Sequence, residues 1–82
     1  MALYCGIDLH SNMSWEVILN EEGKVIYQRK LLNEIERFYN ELEPYKERVE
    51  SIAVESTYNW YWLVDKLMDA GYVVRLVNPA GA

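Results

Sequence analysis

With 82 residues, 51% of them hydrophobic and 26% charged, the chain has the make-up of one small globular domain and no more. Its net charge of −5 argues against a stand-alone nucleic-acid binder, because phosphate affinity comes from clustered Lys and Arg. The only local basic group, Lys24 with Arg29 and Lys30, reads as a solvated strand edge. A single cysteine, Cys5, leaves no internal disulfide and no cysteine-based zinc cluster. It falls mid-strand, where a free thiol acts as a small apolar side chain. No apolar run approaches the roughly 18 residues of a membrane span. The chain enters a strand almost at once with no basic and apolar leader, so a cytoplasmic location is expected.

The elements read in order as β-β-β-α-β-α-β. A first strand over 2–8 closes on Asp8, and His10-Ser11-Asn12 make the following turn. The second strand, 14–20, alternates, with Trp15, Val17 and Leu19 on one face and Glu16 on the other. Glu21-Glu22-Gly23 form a tight turn, with Gly23 free to take positive φ. The third strand, 24–31, is an edge, and the three strands fit an antiparallel meander. Asn33, with Glu36 three residues on, matches a capping box for a helix. Ile35, Phe38, Tyr39, Leu42 and Tyr45 share the apolar face of that helix, and Pro44 ends or distorts it.

Residues 51–55 are short and apolar and predict a central strand covered on both faces. Ser56 or Thr57 caps a second helix with Trp60, Leu63, Val64, Leu67 and Met68 inward, and Gly71 takes the left-handed C-cap. A last strand, 72–77, stops at Asn78-Pro79. Two helical crossovers imply an α/β layer fold with the first, fourth and fifth strands parallel. The tail Ala80-Gly81-Ala82 follows a point where another helix is expected, so the sequence reads as the front part of a larger domain.

Chemistry concentrates on Asp8 and Glu55. If the first and fourth strands are parallel neighbours, both acids emerge at the carboxyl edge of the sheet, where α/β folds place ligands. Close carboxylates repel unless a cation lies between them, and Mg²⁺ accepts one or two protein carboxylates plus water and phosphate. The plainer alternative is that each acid only caps a strand or favours a helix N-terminus. His10 reads as a solvent-facing turn residue, the other reading being a proton carrier or phosphate contact. Ser11 and Asn12 satisfy their own turn. Tyr58-Asn59-Trp60-Tyr61-Trp62 reads mainly as core or subunit packing, against a stacking surface for bases. Asp65 and Asp69 read as solvated surface.

The run Gly6-Ile7-Asp8-Leu9-His10-Ser11 resembles the start of the RNase H-like, RuvC-like domain of DEDD insertion-sequence transposases of the one-hundred-and-ten family. The likeness continues through Val54-Glu55-Ser56-Thr57, Tyr61-Trp62, Leu67, Gly71-Tyr72-Val73-Val74 and Leu76-Val77-Asn78-Pro79. It covers essentially the whole chain in order. The resemblance implies an incomplete RNase H-like mixed sheet in strand order 3-2-1-4-5, and DNA strand cleavage and transfer in transposition. It also implies DNA and, in some members, a guide RNA as partners, with no membrane involved. Asp8 and Glu55 would be the first two of four acids that bind Mg²⁺. The remaining two aspartates and a serine nucleophile would lie beyond residue 82, leaving these residues inactive alone.

Two other classes compete. Actin-like and sugar-kinase ATPases also open with a Gly-Ile-Asp strand and a three-strand meander, but their phosphate turn wants a glycine just after the acid. Here His10-Ser11-Asn12 has none. A non-catalytic α/β module, associating as a homodimer through exposed apolar surface, is the other.

Overall fold

The computed structural model describes residues 2–55 and 59–77. Five strands form one sheet in the order β3-β2-β1-β4-β5. These are β1 Leu3–Leu9, β2 Met13–Leu19, β3 Val25–Leu32, β4 Val49–Glu55 and β5 Val74–Val77. β1–β2 and β2–β3 pair antiparallel, whereas β1–β4 and β4–β5 are parallel. The meander and the two crossovers therefore stand as expected. At the β2–β3 turn the Asn20 side-chain oxygen accepts from the N–H groups of Glu22 and Lys24, at 2.9 and 3.0 Å. Gly23 takes φ +80° there.

Helices α1, Ile35–Leu42, and α2, Tyr61–Asp69, supply the second layer. Leu3, Cys5, Ile7 and Leu9 of β1 meet Ile52 and Val54 of β4 beneath Phe38, Leu42, Leu63 and Leu67, all buried. This is one contiguous core. Pro44 falls in a short 3-10 turn, Glu43–Tyr45, directly after α1, because its ring and missing N–H do not suit a continuing α-helix. Gly71 ends α2 with φ +96°. Asp65 and Asp69 are exposed.

Three expectations change. Asn33 does not cap α1: the N-cap is Glu34, with no side-chain capping bond, and the Asn33 side chain is used elsewhere. β4 is covered on one face only, since Ser51 and Ala53 are half-exposed while Ile52 and Val54 are buried. Met68 lies outside the core, on the wet side of α2. On β2 the expected alternation stands, with Ser14, Glu16 and Ile18 on the helix-covered face and Trp15 exposed on the other. The expected caps Ser56 and Thr57, and the stop at Asn78-Pro79, lie outside the described residues.

Candidate functional site

Parallel pairing of β1 with β4 sets Asp8 directly beside Glu55, as Cα partners in register. Neighbouring strands run about 4.8 Å apart, so the two carboxylates emerge side by side at the carboxyl rim. The sequence placed both acids at strand ends, and register brings them together. Both project on the sheet face opposite the helices, because Ile7, Leu9 and Val54, their strand neighbours, fill the core.

The row continues across the sheet. Asp8 pairs with Trp15 on β2, Trp15 with Lys30 on β3, and Glu55 with Val77 on β5. Gly6 and Ala53, paired one step back from the rim, carry almost no side chain. They form the floor of a hollow of about 250 Å³ bounded by Asp8, Trp15, Glu55 and Val77. A second hollow, of about 380 Å³, lies on the other side of Trp15, between the His10-Ser11-Asn12 turn and Lys30.

His10 is exposed, as expected for a turn residue, but it is not idle. Its Nε2 lies 3.2 Å from Asp8 Oδ2. Its backbone is held from behind. The His10 N–H donates to Ser14 Oγ at 3.2 Å, and the Ser14 hydroxyl donates to Asn33 Oδ1 at 2.7 Å. The Asn33 amide donates in turn to the His10 carbonyl, and the Asn33 N–H donates to the Asn12 carbonyl at 3.0 Å. The β1–β2 turn is thus tied to the start of α1 by a closed polar circuit around the buried Ser14.

Cys5 is buried in the core, and burial, with Glu16 nearby, pushes its thiol up. That suits the packing role read from the sequence. The aromatic run divides as its helical directions require. Trp62 meets Phe38 edge-on, Trp60 packs against the core, and Tyr61 stacks on Trp60 with centroids 4.1 Å apart. Tyr61 itself is 61% exposed. Tyr58 lies outside the described residues.

No group of three or more His, Cys, Asp or Glu side chains arranged to hold a metal ion occurs among the described residues. Asp8 and Glu55 still fit part of a Mg²⁺ shell: two hard oxygen donors abreast, beside an open hollow that leaves room for water and phosphate. Trp15 and Lys30 were missed as site residues. Their signal lay in the hairpin lengths, which fix the register, and not in any local motif.

The fold and rim define a small α/β protein with a mixed five-stranded sheet and an acid pair at the ends of parallel strands. No protein-family model and no curated protein sequence matches the chain. Among solved structures it is similar to the Aquifex aeolicus PPX-GPPA enzyme, at 18% identity and a TM-score of 0.51 over 95% of this chain. It is similar to the type II variant of the Aquifex aeolicus Ppx/GppA phosphatase as well, at 14% identity and a TM-score of 0.51 over 96% of this chain. The chain spans 36% of the length of each. At these identities the likeness is one of fold, and it fits an α/β fold with a mixed sheet. No described helix is long and apolar enough to cross a membrane.

Proposed function

We propose that Asp8 and Glu55 are the first two carboxylates of a Mg²⁺ site for phosphoryl transfer. In this reading the chain is the N-terminal part of a RuvC-like domain of a DEDD transposase, and the intact protein cuts and transfers DNA strands. The observation that carries the site is the register pairing of Asp8 with Glu55 at the carboxyl rim. The ordered motifs from Gly6-Ile7-Asp8 to Leu76-Val77 support the transposase assignment. Asp8 and Glu55 would hold the ion, His10 would fix the Asp8 carboxylate, and the pinned turn would keep His10 in reach. A bound Mg²⁺ supplies charge stabilisation to attacking and leaving phosphate oxygens. Two further aspartates, from chain beyond residue 82, would complete the shell.

A second reading has its own support. Solved structures similar in fold include Ppx/GppA phosphatases, which favours an actin-like domain that binds ATP. Against it stands the turn after Asp8, where His10-Ser11-Asn12 offers no glycine for close backbone approach to phosphate.

Isothermal titration separates the readings. The transposase reading expects Mg²⁺ to bind weakly to the wild-type chain and not to Asp8→Asn or Glu55→Gln, with no heat from ATP in the absence of Mg²⁺ and no tightening when both are present. ATP binding that survives Asp8→Asn would overturn it in favour of the actin-like reading.

A further inference from the structure

We infer that the hollow between Lys30 and the His10–Asn12 turn is an anion subsite. It would take a phosphodiester of a single nucleic-acid strand whose neighbouring nucleotide lies over Trp15. The inference deepens the proposed function and rests on it for the choice of ligand.

The argument begins with register. Glu55, Asp8, Trp15 and Lys30 stand in one row across four adjacent strands. Two acids occupy one end of the row, a cation the other, and an indole lies between. Lys30 stands two strand spacings from Asp8, roughly 10 Å of sheet. That separation keeps the ammonium away from an ion held by the acid pair, yet within reach of the next phosphate along a strand. Lys30 has no carboxylate within ion-pair distance among the described residues, whereas Arg29, its neighbour, is paired with Glu41. Its charge is therefore available to a ligand.

Trp15 is 40% exposed and borders both hollows. A large, partly exposed aromatic on the sheet between the two hollows suits stacking, which tolerates any base and contributes about 1–3 kcal/mol per base. The turn at His10 adds hydrogen-bond donors, and Ser14 and Asn33 hold its backbone in place. Phosphate is the shared chemistry. A nucleic-acid strand and an inorganic phosphate chain both supply it, but only the strand uses Trp15. The net charge of −5 predicts weak, salt-sensitive binding.

The test uses the 82-residue chain and a short fluorescein-labelled oligodeoxythymidine, read by anisotropy at low ionic strength, with inorganic polyphosphate as competitor. Lys30→Glu should weaken binding by about tenfold and lower the salt slope by about 0.7. Trp15→Ala should weaken it by about tenfold, with Trp15→Phe recovering most of the loss. Lys24→Glu, on the far turn, should bind as wild type. Thermal melts followed by circular dichroism, and the milder Lys30→Met, guard against a folding defect.

No binding by the wild-type chain, or Lys30→Glu and Trp15→Ala both binding as wild type, would overturn the inference. So would polyphosphate binding that is tighter than the strand's and indifferent to Trp15→Ala. Mg²⁺ titration of the same variants keeps the two ideas separate. Loss of the Lys30 effect with intact Mg²⁺ binding sinks the subsite alone. A Lys30 effect without any Mg²⁺ binding sinks the metal site alone.

Discussion

Glu16 is the residue whose environment departs furthest from its chemistry. It is 0% exposed, and neither carboxyl oxygen has a hydrogen-bond partner among the described residues. Burial, and then Glu41, pushes it up to about 8 from 4.5. Arg29 lies opposite it on β3 but pairs with Glu41, at 3.8 Å. Cys5 on β1 and the unpartnered Tyr27 hydroxyl on β3 add no cation. The folded state therefore binds more protons than the unfolded chain between about pH 4.5 and 8. Its contribution is whole below the lower value and lost as pH rises to the upper one, by a few kcal/mol in all. Thermal melts should show wild type falling steeply across that window and Glu16→Gln falling much less, so that the variant is the more stable at pH 8. Parallel curves for the two proteins would refute a neutral, buried Glu16. Strand alternation showed that Glu16 and Trp15 face opposite ways. It could not say which face the helices would cover, because that depends on where distant crossovers land.

Among the elements, the link between the β1–β2 turn and α1 was the least readable from the chain. Asn33 followed by Glu36 fits a capping box, yet the helix begins at Ile35 and the amide reaches back to His10. Local spacing records which residues are able to cap. It does not record a partner more than twenty positions away that competes for the same side chain. Ser14→Ala would strand the part-buried Asn33 oxygen and the His10 N–H. Urea denaturation should show a loss of about 1–3 kcal/mol, with a change near zero excluding the circuit as a source of stability. By contrast, the turn at Gly23, the C-cap at Gly71 and the strand sequence itself were legible, since each follows from backbone preferences of a few adjacent residues.

At the scale of the molecule, the parallel pairing of β1, β4 and β5 followed from two helical crossovers, whereas the strand order followed from the family resemblance. Topology of that kind does not by itself choose a chemistry. The choice rests on what gathers at the rim. There the helix-free face carries the acid pair, the indole and the ammonium in one row, while the opposite face is spent on the core. An expectation of a doubly covered β4 failed for this reason: its small residues floor an open hollow in place of meeting a second helix layer. The most direct test of the shared-ion claim is paramagnetic broadening by Mn²⁺ in amide-resolved NMR spectra. Broadening should centre on the amides around Asp8 and Glu55 together, spare the Glu21–Lys24 turn, and vanish in Asp8→Asn. Broadening centred on another acidic patch, or unchanged in Asp8→Asn, would contradict the account.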